Sequence, residues 1–162
     1  MNDSILIRKA TTGDLAILYQ FEQGVITAEL PFDSTLKDEL INYYDLPQMI
    51  SATHIELLVG EFDGSIIASG YARIEQAKPY LKHTAYAYLG FMYVLPAYRG
   101  KGINKKIVQA LQQWAVTQNV FELRLDVYYG NEPAIKAYEK IGFSKHMIEM
   151  RLEAEKNDSV LI

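Results

Sequence analysis

Residues 93–106 read YVLPAYRGKGINKK, and this stretch decides how the rest is read. An apolar run over residues 85–94 leads into Leu95 and Pro96, then into Arg99-Gly100-Lys101-Gly102. Behind it stand Ile103, Ile107, Val108, Leu111, Trp114 and Ala115, an apolar stripe at helical spacing. The pattern predicts a strand, a glycine-punctuated turn and an amphipathic helix. The first turn of such a helix carries unpaired N–H groups and partial positive charge, which suits it to phosphate. Gly100 and Gly102 remove side chains that would keep an anion from those amides, and Arg99 and Lys101 add charge beside them. Two phosphate loops are excluded by spacing. The dinucleotide fingerprint fails because Lys105 stands where its third Gly belongs, and the GxxxxGK[ST] loop fails because Lys101 is followed by Gly102.

Composition narrows the class. At 162 residues the chain is expected to form a single domain over residues 1–162, long enough to bury about two-thirds of its unfolded surface. Hydrophobic residues make up 49% and charged residues 22%, which fits a soluble globular protein. A net charge of −4 argues against nucleic-acid binding by bulk basicity. No apolar run approaches the ~20 residues that cross a bilayer, and MNDSILIRK has no signal-peptide core, so no membrane role is expected. The absence of cysteine removes disulfides, thiolate metal sites and a cysteine nucleophile, and fits a cytoplasmic enzyme. His54, His83 and His146 have no spacing that suggests a metal, and none is expected.

Taken in order, residues 4–9 read as a strand, and residues 11–14 cap a helix with Leu15, Leu18, Tyr19 and Ile26 inward, stopped by Pro31. A second helix is expected over 34–44, before Pro47. Residues 55–62 and 65–74 read as strands around the hairpin dipeptide Asp63-Gly64. The near-continuous apolarity of 85–94 predicts burial on both faces. Residues 121–127 alternate as a strand, giving a parallel crossover with the strand before the glycine loop. Asn131 and Pro133 open a helix that runs to Ile141 and stops at Gly142. Residues 143–152 read as a closing strand or strand pair. The expected order is β-α-α-β-β-β-α-β-α-β, a mixed α/β domain.

A second pattern lies downstream: Asn131-x-x-Ala134-x-x-x-Tyr138-x-x-x-Gly142-Phe143. Asn131, Ala134 and Tyr138 are three and four apart and share a helix face. The two patterns, in this order and separated by a helix and a strand, resemble those of the GNAT N-acetyltransferases. The family's Arg-x-x-Gly-x-Gly/Ala loop falls on Arg99, Gly102 and Asn104, with Asn104 departing from the usual Gly or Ala. The resemblance implies the GNAT (acyl-CoA N-acyltransferase) fold, a mixed central sheet flanked by helices. It implies acetyl-CoA as cosubstrate, its pyrophosphate on Arg99, Gly100, Lys101, Gly102, Ile103 and Asn104. Backbone groups of Met92, Tyr93 and Val94, exposed by a bulge usual in the family, would serve the pantetheine and the oxyanion. Asn131 would contact the pantetheine, and Tyr138 would sit near the thioester sulfur. The plain alternatives are a tight turn, a fully paired strand and a core aromatic.

The implied chemistry is direct attack of an amine on the acetyl carbonyl, with the CoA thiolate leaving. The resemblance implies Tyr138 as the general acid, or as a hydrogen-bond donor to the sulfur alone: a phenol of pKa ~10 is protonated at neutral pH and can donate to a thiolate. The base stays open. Where some relatives carry Glu on the loop-bearing strand this chain has Tyr86 and Tyr88, and Glu29, Asp126 or a water chain are the other candidates. The segment 29–45 holds Glu29, Asp33, Asp38, Glu39 and Asp45 against Lys37, so an acidic mouth would favour a cationic small-molecule or peptide amine. A solvated acidic face is the alternative. A non-catalytic acyl-CoA-binding regulatory domain of the same fold is the competing function. A homodimer is the fold-level expectation.

Overall fold

The computed structural model describes residues 4–156. The chain divides into two compact units, Met1–Asp126 and Val127–Ile162. The first holds β1 (Ile5–Lys9), α1 (Leu15–Glu29), α2 (Leu46–Ser51), β2 (Ile55–Phe62), β3 (Ser65–Gln76), β4 (Ala85–Val94), α3 (Ile103–Thr117) and β5 (Leu123–Leu125). Its strands form one mixed sheet in the order β1-β2-β3-β4-β5. Neighbours are antiparallel except β4 and β5, which run parallel and are joined by the α3 crossover. Asp63 and Gly64 take φ of 50° and 78°, the left-handed pair a two-residue hairpin requires, and Phe62 pairs with Ser65 across them.

Helices cover both faces of the sheet. On one, Leu18 and Phe21 of α1 and Leu46 and Met49 of α2 join Leu57, Val59, Tyr71 and Phe91 in one apolar cluster. On the other, α3 lays Ile103, Ile107, Val108 and Leu111 inward, all at 0–1% exposure. Each such side chain contributes roughly 1.5–3 kcal/mol of burial. Gly70 is what lets α3 approach: a Cβ there would lie 2.6 Å from Ile107.

Several expectations are corrected. No helix forms over 34–44; the first helix after α1 is α2, and Pro47 sits in its first turn with the Asp45 carboxylate accepting from the Gln48 N–H at 3.2 Å. Proline starts this helix, since its missing N–H has no partner to lose there. The backbone of 41–44 is held by α1 side chains. Glu22 Oε2 accepts from the N–H groups of Tyr43 and Tyr44 at 2.7 and 2.8 Å, and Gln23 donates to the Ile41 carbonyl at 3.0 Å. These bonds satisfy the backbone without a helical ladder. Glu22 is fully buried and its Oε1 has no partner. On α1 the inward set is Leu18, Phe21, Glu22 and Ile26, with Tyr19 43% exposed. The 3-10 turn Leu30–Phe32, with Pro31 in it, follows α1 directly. β5 is three residues long, shorter than the expected 121–127, and β4 is not buried on both faces.

In the second unit α4 (Glu132–Ile141) follows Asn131, whose side chain accepts from the Ala134 N–H at 3.4 Å. Gly142, at φ 124°, ends it; the N–H groups of Gly142 and Phe143 both donate to the Tyr138 carbonyl. Residues 143–156 form no strand. The strand expected over 143–152 has its alternation but no ladder.

Candidate active site

Pairing between β4 and β5 covers Ala87–Leu123 to Leu89–Leu125. β4 runs on past it to Val94. Within this overhang the register against β3 slips: Tyr71 pairs with Gly90 but Ser69 pairs with Tyr93, so Gly70 faces both Phe91 and Met92. That is a β-bulge, with Phe91 at φ 54°. The extra residue switches which side chains point where. Before it Tyr88 lies on the α1 face; after it Phe91 and Tyr93 do, while Met92 approaches Gly70 on the α3 face. The buried Ser69 hydroxyl donates to the Phe91 carbonyl at 2.9 Å, taking up an acceptor the ladder has lost. The overhang of Met92, Tyr93 and Val94 is where backbone groups were expected to be released.

The glycine loop leaves the end of β4. A short 3-10 turn, Pro96–Tyr98, delivers Arg99, and Gly100 and Gly102 follow at φ 76° and 78°. A Cβ at either glycine would meet no atom within 4 Å, so both open onto free space. Gly102 is the N-cap of α3 and offers no side chain to its first turn, where Ile103 and Asn104 begin the helix. Successive N–H groups around left-handed glycines, opening on an uncapped helix start, form an anion-binding concavity. The Arg99 Nε donates to the Val94 carbonyl at 2.8 Å, and its guanidinium lies 5.4 Å from the Tyr93 ring centroid. This holds the side chain by one nitrogen and leaves the two terminal ones as donors. Lys101 Nζ lies 5.7 Å from the Tyr98 ring centroid.

Beside the bulge on the α1 face is a tyrosine cluster; Tyr44 and Tyr88 are pocket and base-position candidates in the sequence, but their convergence with Tyr71 is not legible there. The Tyr44 ring lies 4.8 Å from Phe91 and 5.9 Å from Tyr71, and Tyr71 lies 6.4 Å from Tyr88. Arg73 stands over Tyr71 and Tyr88 at 5.7 and 5.4 Å and pairs with Glu75. Burial pushes the Tyr44 hydroxyl well above its ordinary pKa, with nearby Tyr71 and Glu29 adding to it. Burial also raises Tyr88, and Asp126, which accepts its hydroxyl at 3.0 Å, raises it further. Burial raises Tyr71 against the opposing pull of Arg73. Both causes favour the phenol form of Tyr88. The other carboxylate candidate, Glu29, accepts the Tyr43 hydroxyl at 2.8 Å. Twelve tyrosines in the chain hid this cluster, because nothing local marks which of them converge.

In the second unit Asn131 and Tyr138 lie on α4, Asn131 at its cap and Tyr138 one turn before its end. The Tyr138 ring meets Phe143 edge-on, centroids 5.8 Å apart at 81°. Among the described residues no group of three or more His, Cys, Asp or Glu is placed to hold a metal, and no helix is long and apolar enough to cross a membrane.

Comparison with known proteins adds the following. The Acetyltransferase (GNAT) family matches residues 23–143, a span that enters both units. An aminoglycoside N(6')-acetyltransferase type 1 of Salmonella typhimurium is 24% identical over 104 residues, 62% of this chain and 70% of that one. An N-alpha-acetyltransferase of Sulfurisphaera tokodaii is 27% identical over 125 residues, 74% of this chain and 75% of that one. Among solved structures, a predicted acetyltransferase from Clostridium acetobutylicum, crystallised with acetyl-CoA, superposes with a TM-score of 0.69. It is 19% identical and the match covers 92% of this chain and 96% of that one, a likeness of fold.

Proposed function

Because this chain belongs to the acetyltransferase (GNAT) family, we propose that it is a single catalytic domain that moves the acetyl group of acetyl-CoA directly onto a primary amine. The observation that carries this reading is the glycine loop: two left-handed glycines open onto the uncapped start of α3 beside Arg99. Arg99, Gly100, Lys101, Gly102, Ile103 and Asn104 take the pyrophosphate, by backbone N–H groups and two cationic side chains. The β4 overhang at Met92, Tyr93 and Val94 offers backbone groups to the pantetheine and to the oxyanion. Asn131 uses its Oδ1 as a helix cap, which leaves its amide nitrogen as the donor for the pantetheine.

In the reaction the amine lone pair attacks the acetyl carbonyl carbon, and the tetrahedral oxyanion collapses with cleavage of the C–S bond. Tyr138 gives its hydroxyl proton to the departing sulfur and recovers it from solvent. The extra proton on the attacking nitrogen of the tetrahedral intermediate leaves to water or to a carboxylate, giving the neutral amide. Asp126 and Glu29 each already accept a tyrosine hydroxyl, so neither is assigned as base.

The acceptor is a cationic amine in this proposal. The aminoglycoside acetyltransferase relative supports it, as does the acidic stretch between α1 and α2. Part of that acidity is structural: Asp45 caps α2, Asp33 accepts from the Thr35 N–H at 2.9 Å, and Glu39 lies 3.9 Å from Lys37. Glu29 and the exposed Asp38 remain as the charges that would face an amine.

The test is a thermal unfolding scan with acetyl-CoA, CoA and ATP in parallel, followed by an amine screen. A ligand at a hundred times its Kd adds about 2.7 kcal/mol, a rise of about 5 to 10 °C for a chain of this size. Acetyl-CoA and CoA should raise the midpoint and ATP should not. No shift with either thioester or thiol would end the proposal. A shift without thiol release on any polyamine, aminoglycoside or lysine peptide would reduce it to a non-catalytic acyl-CoA-binding domain.

A further inference from the structure

We infer that the Tyr93 side chain is a positioning residue for the cosubstrate: its ring, seated in a notch that Gly24 leaves in α1, holds the Arg99 guanidinium in place for the pyrophosphate. This role presupposes that the glycine loop takes the pyrophosphate, as proposed above. It gives a side-chain task to a β4 residue assigned so far only by its backbone. Three contacts carry it. The Arg99 guanidinium carbon lies 5.4 Å from the Tyr93 ring centroid, within the ~6 Å over which a ring face attracts a cation. The Phe21 ring of α1 lies 4.9 Å from that of Tyr93, tilted by 37°. A Cβ at Gly24 would stand 2.6, 2.7 and 2.8 Å from Cε1, Cζ and Oη of Tyr93, closer than nonbonded atoms come.

Gly24 lies inside α1, where glycine is a poor helix former. What it provides there is room, since only a residue without Cβ lets the helix approach the ring this closely. The ring is thereby fixed from α1, and what it fixes in turn is Arg99. That arginine is exposed, and an exposed guanidinium has rotamer freedom that binding must remove. Two points restrain it before any anion arrives: the Nε bond to the Val94 carbonyl at 2.8 Å, and the Tyr93 ring. The bulge makes the second point available. In an unbroken alternation from Tyr88, Met92 and not Tyr93 would face α1.

Calorimetric titration with CoA, which carries the pyrophosphate and needs no turnover, tests this. Tyr93→Leu should weaken CoA binding about threefold to tenfold, and Tyr93→Phe, which keeps the ring, should recover most of the loss. In an Arg99→Ala chain, Tyr93→Leu should cost less than about twofold more, because the ring has no guanidinium left to hold. Gly24→Ala puts a methyl group where the ring stands while giving α1 a better helix former, so this variant should stay folded. It too should weaken CoA binding when Arg99 is present and have little effect when Arg99 is Ala. Equal losses with and without Arg99 overturn the inference and make Tyr93 a packing residue. So does CoA binding that Tyr93→Leu and Gly24→Ala leave unchanged. An unaltered chain that binds no CoA removes the pyrophosphate site itself, and the positioning role with it.

Discussion

The Ser69 hydroxyl donates to the Phe91 carbonyl at 2.9 Å, and the residue that receives this bond is the one at φ 54°. The bulge is thus fastened from the neighbouring strand by a buried polar side chain. A non-glycine residue in the left-handed region costs of order 1 kcal/mol, so it needs such support. Ser69→Ala would leave the Phe91 carbonyl buried without that donor. Its stability should fall by about 1–3 kcal/mol in urea titration. Activity should fall further than stability accounts for, because the overhang at Met92 to Val94 loses its fixed course. A variant with unchanged turnover would show that the bulge holds without its serine.

Arg99 joins the loop to the strand through the Val94 carbonyl. Arg99→Ala should raise the KM for acetyl-CoA by about 10- to 100-fold, the equivalent of one or two charged hydrogen bonds. The kcat at saturation should change little, since the pyrophosphate lies far from the reacting carbonyl. Steady-state kinetics over a wide acetyl-CoA range separates the two parameters. An equal loss in kcat would mean that Arg99 acts on the chemistry through the β4 backbone.

Tyr138→Phe keeps the ring that meets Phe143 and removes only the hydroxyl. The kcat should drop by about 100-fold with the acetyl-CoA KM changed less than about twofold. Activity that survives intact would remove Tyr138 from the proton path and leave solvent to protonate the thiolate.

At the start of the chain Asp14 is nearly buried and accepts from both terminal nitrogens of Arg8, at 2.9 and 3.0 Å. The Arg8 hydrogen bonds hold its carboxyl below the usual carboxylate value. A folded-state pKa below the unfolded one means that the unfolded chain binds the proton more readily. The stabilisation is therefore complete above the unfolded value of about 4 and is lost as pH falls through the lower folded value. Asp14→Asn should cost about 2 kcal/mol at neutral pH, and its difference from the unaltered chain should shrink below pH ~4. Urea midpoints at several pH values test this; a difference independent of pH would assign the loss to packing.

The parts of this fold that were legible are those whose cause is local. Asp63-Gly64, the caps at Asn131 and Gly142, and the α3 stripe each act within a few residues, and each stands where the pattern put it. The glycine loop was legible for the same reason. The helix expected over 34–44 was wrong because its backbone answers to Glu22 and Gln23, about twenty residues away in sequence. Residues 85–94 read as doubly buried because a bulge mixes two alternations into one apparent run. Ser69 gave a faint signal, the one serine within the stretch IIASGYA, but its partner lies on another strand.

Glu22 grips the segment after α1 only by the N–H groups of residues 43 and 44. An N–H is the same for every amino acid but proline, so this grip does not depend on side-chain identity there. Residues 37–40, just upstream, are exposed. The backbone of the segment's end is held by two α1 side chains, Glu22 and Gln23, while its own side chains are left to vary. A randomised library over 37–40 should therefore yield mostly folded proteins that differ in which amines they accept, an evolvable rim on a fixed scaffold.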